Sequence, residues 1–225
     1  MTGYDFSFCG TELRAMASGA LFLESARALV VSDLHLGKSD RIARRGGTML
    51  PPYETRETLA RLESAIFATD PQVVICLGDS FDDLDVPASL EAAARDWIMR
   101  LQAGRDWIWI EGNHDPGPVD IGGTHRAEWR DGPLTFRHIA KAGARGEISG
   151  HYHPKLSIRG TQAGARACFL IDHAQIIMPA FGAYTGGLSA TSPVLNALMT
   201  RPAIAVLTGP RAIAVPLPVA RLGRQ

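Results

Sequence analysis

The chain carries the run ALVVSDLHLG at residues 28–37, in which apolar residues are followed directly by polar ones. Two more apolar runs end in the same way, QVVICLGD at 72–79 and DWIWIEGNHD at 106–115, and a fourth polar group follows in GHYH at 150–153. Runs that are apolar throughout and rich in β-branched or aromatic residues are typical of strands buried on both faces. Since the carboxyl ends of strands in an open α/β sheet face one crevice, the polar residues are predicted to converge there.

The first half of the chain is predicted to alternate strands with helices. One helix is expected to begin near Tyr53, and a second lies between Ala88 and Ala103, where apolar residues recur at helical spacing and Gly104 follows as a C-cap. The buried strands are expected at Ala28–Ser32, Gln72–Leu77 and Asp106–Ile110.

After Leu134 the pattern changes to short strands with no helices between them. Two closing runs, Ala203–Leu207 and Ala212–Val215, flank a turn and are expected to form a hairpin. The sequence therefore predicts two packed sheets, the first accompanied by helices and the second mostly antiparallel. The remaining strands of the second sheet are expected at Leu134–Arg137, Glu147–Ser149, Ala167–Ile171 and Gln175–Met178.

Length and charge restrict the class of protein. A chain of 225 residues with 46% hydrophobic content is most simply one globular domain, residues 1–225. Its 23 Lys and Arg residues balance 23 Asp and Glu residues, which excludes a protein that holds duplex DNA by overall positive charge. Any contact with nucleic acid must therefore depend on a local patch.

Cysteine usage and the absence of targeting signals indicate the compartment. Cys9, Cys76 and Cys168 are far apart and form no CxxC pair, so all three are expected to be reduced thiols in or near the core. The sequence contains neither a long apolar membrane span nor an N-terminal signal peptide. A cytoplasmic location without a membrane partner is the expectation.

Aspartate, asparagine and histidine supply oxygen and nitrogen ligands of intermediate hardness, which suit Mn, Fe or Zn. Seven such side chains exceed the needs of one ion. Two ions about 3.5–4 Å apart that share a bridging carboxylate can activate a water and hold the oxygens of a phosphoryl group. Asp79, central among the strand ends, is the predicted bridge. The candidates at the strand ends are Asp33, His35, Asp79, Asn113, His114, His151 and His153.

The order of these motifs, DLH, GDSFD, GNHD, a later lone His and GHYH, resembles that of the calcineurin-like metallophosphoesterases over residues 28–155. The resemblance implies an α/β (α+β) fold, a four-layer β-sandwich in which two mixed sheets are flanked by helices. It also implies a site where two divalent metal ions support phosphoester cleavage. The first ion would be bound by Asp33, His35, Asp79 and His153. The second would be bound by Asp79, Asn113, His138 and His151.

Two histidines compete for the place of the family's lone His. His138 follows a predicted strand, as the family's histidine does, although Ile139 stands where the family often has Gly. His125 lies in the Gly-rich segment GGTH, which is typical of a solvated loop. His138 is therefore the predicted ligand. His173, between two strands, is expected to be a turn residue.

The resemblance assigns roles to two residues beside the ligands. His114 would protonate the leaving oxygen or stabilise charge on the phosphoryl group, work that suits a side chain able to titrate near neutral pH. The alternative is that His114 only packs its loop. Asp82 completes a GDxxD spacing and is expected to orient a ligand rather than to bind metal.

A narrower set of motifs resembles the ligase-associated DNA damage response endonuclease group over residues 28–190. These motifs include LPPYET at 50–55, GEISGH at 146–151 and PAFGAYTGGL at 179–188. The resemblance implies a bacterial phosphodiesterase that acts on DNA. It also implies three partners encoded beside it: an ATP-dependent DNA ligase, a helicase and a nuclease of the metallo-β-lactamase type.

Basic residues follow the first motif directly and could hold a phosphate backbone: Lys38, Arg41, Arg44 and Arg45. Of these, Lys38, Arg44 and Arg45 are the predicted substrate contacts. The alternative is a solvated loop whose arginines pair with Asp82, Asp83 and Asp85. Tyr184 lies in a Gly-rich segment and could stack on or hydrogen-bond to substrate, with a packed aromatic side chain as the alternative.

Three functions fit the sequence. The leading prediction is a two-metal phosphodiesterase or endonuclease acting on DNA or RNA, with Mn as the expected metal and Fe, Zn or Mg as alternatives. A hydrolase of small phosphodiesters, cyclic nucleotides or pyrophosphates would suit the neutral charge and the lack of an added DNA-binding module. A metal-free scaffold with the same fold is the third, and the complete ligand set disfavours it.

Overall fold

The computed structural model describes residues 2–38, 53–82, 86, 90–157 and 164–218. The strands of the first sheet are β1 (Gly3–Phe8), β2 (Thr11–Met16), β3 (Leu21–Leu23), β4 (Ala28–Val31), β5 (Val73–Leu77), β6 (Asp106–Ile110) and β7 (Thr124–Arg126). Those of the second are β8 (Trp129–Asp131), β9 (Leu134–Phe136), β10 (Glu147–Ser149), β11 (Lys155–Leu156), β12 (Arg166–Ile171), β13 (Gln175–Ile177), β14 (Ile204–Leu207) and β15 (Ile213–Pro216). Helices in the described ranges are α1 (Glu54–Thr69), α2 (Ala92–Gln102) and α3 (Pro193–Leu198).

The first sheet follows chain order from β1 to β7, antiparallel as far as β4 and parallel from there. Its register places Val31 of β4 beside Cys76 of β5, and Cys76 beside Trp109 of β6. The three strands therefore end nearly level with one another. The residues that follow them leave the sheet at the same edge.

The second sheet has the order β15-β14-β12-β13-β10-β9-β8, with β11 paired to β12. Its pairings are antiparallel except around β10, which runs parallel to both β9 and β13. Ile148 of β10 lies beside Phe136 of β9. Because these two strands run in the same direction and in register, His138 and His151 follow them at one edge of the sheet.

Three apolar layers hold the sandwich together. The strands of the first sheet turn alternate residues to opposite sides, so Val74 and Cys76 face the helices while Ile75 and Leu77 face the second sheet. This two-sided burial explains why the strand sequences are apolar throughout. Helices α1 and α2 cover the first sheet with Leu59, Leu62, Ile98 and Leu101, and α3 covers the second with Leu195. The predicted four-layer sandwich of two mixed sheets flanked by helices is confirmed.

Most expected elements are present within one or two residues of their predicted ends, including the hairpin of β14 and β15. Helix α2 begins at Ala92 rather than near Ala88, and residues 87–89 lie outside the described ranges. Its C-cap is Ala103, not Gly104. The expectation that no helix separates the strands after Leu134 is wrong, because α3 lies between β13 and β14. Ser192 caps this helix by accepting a hydrogen bond from Leu195 N–H.

The thiols of Cys76 and Cys168 are free and buried, as expected. The prediction for Cys9 is wrong in part, because this free cysteine lies exposed in the turn between β1 and β2, at a φ of 50°. No helix in the described ranges is long and apolar enough to cross a membrane.

The core between the sheets should dominate stability. Phe136 is fully buried there, so Phe136→Ala is expected to lower the free energy of unfolding by about 3–5 kcal/mol. Phe67→Ala is the matched control, since Phe67 is 89% exposed on α1, and it should change the value by less than about 0.5 kcal/mol. Urea denaturation followed by circular dichroism measures both. Equal effects would contradict the assignment of this core.

Candidate active site

The candidate site lies where the loops after β4, β5, β6, β9 and β10 meet. Backbone hydrogen bonds tie the first two of these loops together, from Asp33 N–H to Gly78 O at 3.2 Å and from His35 N–H to Asp79 O at 2.9 Å. Side-chain carboxylates tie in the loops after β6 and β10, because Asp79 accepts His114 N–H at 2.9 Å and Asp33 accepts His151 N–H at 3.0 Å. The acidic side chains thus position the loops that carry the histidines.

The first group of ligand atoms comes from Asp33, His35 and His153, whose atoms lie within 4.8 Å of one another. His153 Nε2 is 3.0 Å from Asp33 Oδ1 and 3.4 Å from His35 Nε2. Asp82 Oδ1 accepts a hydrogen bond from His35 Nδ1 at 3.1 Å. Because Nδ1 is the donor, the lone pair of His35 Nε2 points into the group.

The second group comes from Asp79, His138 and His151, again within 4.8 Å of one another. His138 Nδ1 donates to Leu77 O at 2.9 Å, which leaves its Nε2 facing the other members. That Nε2 is 3.4 Å from Asp79 Oδ2 and 3.2 Å from His151 Nδ1. Asn113 Oδ1 joins the group at 2.9 Å from the same nitrogen.

The two groups have the chemistry and spacing of metal sites. Metal–ligand bonds of roughly 2.0–2.2 Å set neighbouring ligands of one ion roughly 3.0–3.5 Å apart, which matches the separations found in both groups. Each group also directs oxygen and nitrogen lone pairs at one another, an arrangement that requires positive charge between them. The residues present therefore fit two divalent cations, as the sequence predicted.

The pKa values of the buried residues in the two groups also indicate that positive charge is favoured there. Burial alone lowers the pKa of His138, but its hydrogen bond with Asp79 and the charge of Asp33 raise it more, to about 9. Burial raises the pKa of Asp33 and Asp79, but the histidines hold both below the ordinary value, through His153 for Asp33 and His138 for Asp79. A bound proton thus occupies a position that a cation can take.

The backbone is held in unusual conformations at this edge. Left-handed φ values, which non-glycine residues adopt rarely, occur at five of the candidate ligands. A Cβ on Gly112 would collide with the backbone nitrogen and Oδ1 of Asp79, and one on Gly150 would collide with Ser32 and Asp33. Side-chain-free backbone is needed at both places for the loops to approach. The five residues are Asp33 (54°), His35 (47°), Asp79 (44°), His151 (71°) and His153 (45°).

Asp115 contributes to the site, although its sequence context predicted no role for it. Its Oδ2 accepts from Ser80 N–H at 2.9 Å and Phe81 N–H at 3.2 Å, while Oδ1 accepts from Gly112 N–H at 3.0 Å. Burial, together with the charge of Asp79, raises its pKa to about 6. Asp115 therefore locks the loop after β6 onto the loop after β5. Its place as the fourth residue of GNHD was the available signal.

His114 and Asp82 lie beside the first group. The ring of His114 meets that of His35 edge-on, with 5.4 Å between centroids, and its Nδ1 donates to Asp82 O at 3.1 Å. Its Nε2 is thereby left for other partners. Asp82 contacts His35 through its side chain, as expected of a residue that orients a ligand. The arginines of the basic loop, the alternative partners of Asp82, lie outside the described residues.

The structure brings together two of the predicted substrate contacts. Lys38 Nζ donates to the backbone oxygen of Tyr184 at 3.4 Å. The Tyr184 ring belongs to a residue that is 53% exposed, so the alternative of a packed aromatic side chain is wrong. Its loop is held beside the candidate site, because Gly182 N–H donates to Asp33 O. Arg44 and Arg45, with Arg41, Asp83 and Asp85, lie outside the described residues.

The two other histidines considered in the sequence, His125 and His173, are not in either ligand group. His125 lies on β7, where its ring stacks on Trp109 and its Nε2 accepts from Val119 N–H. The structure groups His138, and not His125, with the other candidate ligands. The expectation that His125 lies in a solvated loop is wrong, because His125 lies on β7. His173 is an exposed residue between β12 and β13, as predicted.

A two-sheet sandwich with two Asp/His groups at the ends of its strands defines a metal-dependent phosphoesterase. The model of the calcineurin-like phosphoesterase family matches residues 26–160, and the chain belongs to that family. The crystal structure of Pseudomonas putida nuclease MPE is similar, with a TM-score of 0.75 and 29% sequence identity, over 95% of this chain and 100% of that chain. A comparison with curated proteins found no match. The prediction of a phosphoesterase is confirmed.

Close approach of the backbone at Gly112 should be required for activity. Gly112→Ala is expected to displace Asp79 and to lower the hydrolysis of bis(p-nitrophenyl) phosphate about 100-fold, because displacement of an active-site group by about 1 Å has effects of that size. Gly117→Ala in the same loop is the control, since a Cβ there meets nothing within 4 Å. Initial rates with added Mn²⁺ measure both. Equal activity of the two variants would contradict the described contact.

Proposed function

We propose that this protein is a two-metal phosphodiesterase that cleaves the backbone of nucleic acids, with DNA as its substrate. The observation that carries the proposal is the pair of neighbouring ligand groups, in which Asn113, His151 and His153 stay partly or fully exposed to an incoming substrate. The similarity to a nuclease of known structure supports nucleic acid over other phosphodiesters. Lys38 and Tyr184 supply a cation and an aromatic ring next to the site, the two features that contact single strands.

The proposed ligands follow the two groups. Asp33, His35 and His153 hold the first ion, and Asn113, His138 and His151 hold the second. Asp79 is the shared ligand in this proposal, since its Oδ2 faces His138 in the second group while His35 of the first group helps to lower its pKa. Mn²⁺ is the proposed metal, because the mixture of carboxylate, carboxamide and imidazole ligands suits Mn, Fe or Zn better than Mg.

In the proposed reaction, two bound cations would supply an activated water and neutralise charge on the phosphoryl oxygens. His114 transfers a proton from Nε2 to the leaving oxygen, while Asp82 O fixes the ring through Nδ1. Asp82 also orients His35 through its carboxylate. Lys38 pairs with a backbone phosphate beside the scissile one, and Arg44 and Arg45 are proposed to extend that contact.

The particular biological setting is also a proposal. We infer that the protein belongs to the ligase-associated DNA damage response endonucleases and works in bacterial DNA repair with an ATP-dependent DNA ligase, a helicase and a metallo-β-lactamase-type nuclease. The motifs at residues 50–55, 146–151 and 179–188 support this inference. Genes for these three proteins should flank the gene for this chain in its host, and unrelated neighbours would count against the setting. A cytoplasmic location remains a prediction.

A comparison of substrates tests the proposed function. The purified protein is given a single-stranded oligonucleotide, a duplex of the same sequence and cyclic AMP, with Mn²⁺, Mg²⁺ and Zn²⁺ supplied separately. Internal cleavage of an oligonucleotide with Mn²⁺, faster than hydrolysis of cyclic AMP, is the expected result. Faster hydrolysis of cyclic AMP would make the protein a small-phosphodiester hydrolase instead. Absence of cleavage with every metal would overturn the proposal.

Asp79→Asn should abolish turnover without unfolding the chain, because it removes the negative charge proposed to be shared by both ions. We expect less than about 1% of the wild-type rate and a metal content below two ions per chain. Asp106→Asn, at the exposed first residue of β6, is the control and should keep the wild-type rate and the wild-type metal content. Metal analysis by mass spectrometry and thermal denaturation accompany the rate measurement. A wild-type rate in Asp79→Asn would exclude its role as the bridge.

His114→Ala should slow cleavage of DNA about 100-fold or more while both ions remain bound, since general acids contribute about 10²–10⁴-fold. Hydrolysis of bis(p-nitrophenyl) phosphate should fall far less, because p-nitrophenolate leaves without protonation. His173→Ala, in an exposed turn, is the matched control. Loss of metal from His114→Ala would identify the residue as a ligand. Equal losses with both substrates would show that it does not act as the acid.

A further inference from the structure

A groove of about 310 Å³ adjoins the second ligand group. The groove, termed here the Ile139 groove, shares Asn113 and His138 with that group, so a molecule inside it would touch the candidate site directly. Its volume lies at the lower end of the range found for ligand pockets, about 300–1,000 Å³. Its other walls come from the loop after β6, the turn between β7 and β8, and the residues around His138. They include Glu111, Pro116, Ala127, Glu128, Arg137 and Ile139.

Charge argues against a phosphate in this groove. Arg137 is the single arginine or lysine among the described lining residues, and it is already paired with two carboxylates, Glu128 at 2.7 Å and Glu147 at 3.0 Å. Glu111 adds a carboxylate to the lining, while both oxygens of Glu128 already accept hydrogen bonds from arginines, Arg130 and Arg137. A phosphate would meet the Glu111 carboxylate there and, among the described lining residues, no uncommitted arginine or lysine. An uncharged group with hydrogen-bond donors, by contrast, would find the Glu111 carboxylate as an acceptor.

The apolar part of the lining favours a flat, weakly polar ligand. Ile139 is 45% exposed although it is a large aliphatic residue, and Pro116 and Ala127 also line the groove. Exposed apolar side chains beside a polar site are typical of ligand-binding surfaces. A nucleobase combines an apolar face with N–H donors at its edge and carries no charge. It therefore matches both parts of the lining.

We propose that the Ile139 groove binds the base of the nucleoside on one side of the scissile phosphate. This inference rests on the proposed nuclease function and deepens it, because it gives the two sides of the site different roles. The backbone phosphate is held on the side of Lys38, while the groove beside His138 and Asn113 accepts a base. Ile139 is then a residue that positions substrate, and its contact is with the base rather than with the reacting phosphate.

An oligonucleotide with one missing base tests the proposal. A short oligothymidylate and the same oligonucleotide with one central abasic nucleotide are cleaved with Mn²⁺, and the rate at every bond is compared. With the wild-type protein, cleavage should fall about tenfold at the bond on one side of the abasic nucleotide, in line with the contribution of one base contact. In Ile139→Ala this reduction should shrink to less than about twofold. Ile213→Ala, at a residue 42% exposed on β15, should keep the wild-type reduction.

The possible outcomes distinguish a failure of the groove proposal from a failure of the nuclease proposal. If the wild-type protein cleaves neither oligonucleotide, the nuclease proposal fails. If it cleaves both with no reduction near the abasic nucleotide, the function stands and the groove proposal is overturned. Persistence of the full reduction in Ile139→Ala would overturn the groove proposal as well. Because the readout is a ratio between bonds, a general loss of activity in a variant does not affect it.

Discussion

The parallel, level pairing of β4, β5 and β6 is the constraint on which the site depends. Their common register sends three polar loops out at one edge, and these loops carry Asp33, Asp79 and Asn113. The parallel pair β9 and β10 delivers His138 and His151 to the same place from the other sheet. A slip of one residue in any of these pairings would turn the side chains to the opposite face. The apolar core between the sheets sets this register, so it fixes the positions of the ligands and also stabilises the fold.

Features encoded by local pattern could be predicted from the sequence, whereas those created by long-range packing could not. Buried strands such as Asp106–Ile110 were found because they are apolar on both faces. The edge strand β1 does carry such a signal, since Tyr4, Phe6 and Phe8 alternate with more exposed residues. The edge strands β7 and β8 are three residues long with mixed burial, so no comparable signal marked them. In the site, the ligands stood out by their motifs. Asp115 did not, because its role depends on backbone N–H groups of a different loop, which sequence does not display.

The two flanks of the ligand groups differ in chemistry. Lys38 and the exposed Tyr184 stand on one side, where a loop rich in glycine runs against Asp33 and Leu34. On the other side the cation Arg137 is neutralised by Glu128 and Glu147, and apolar residues line the groove. A symmetrical basic rim would hold phosphates on both sides and fix no direction. If the substrate is a nucleic acid strand, as proposed, the unequal flanks would give it one preferred direction across the site.

Assembly of the ligand groups has an energetic cost that positive charge must offset. Two buried carboxylates, Asp33 and Asp79, lie among histidine lone pairs, and several of the ligands hold left-handed backbone conformations. In the absence of metal, a proton on His138, whose pKa is about 9, supplies part of that charge. A divalent cation that displaces this proton supplies more charge at the same position, and it binds only where the loops are already assembled. Metal binding therefore stabilises the folded chain over the unfolded one, since the unfolded chain lacks the paired loops that create the site.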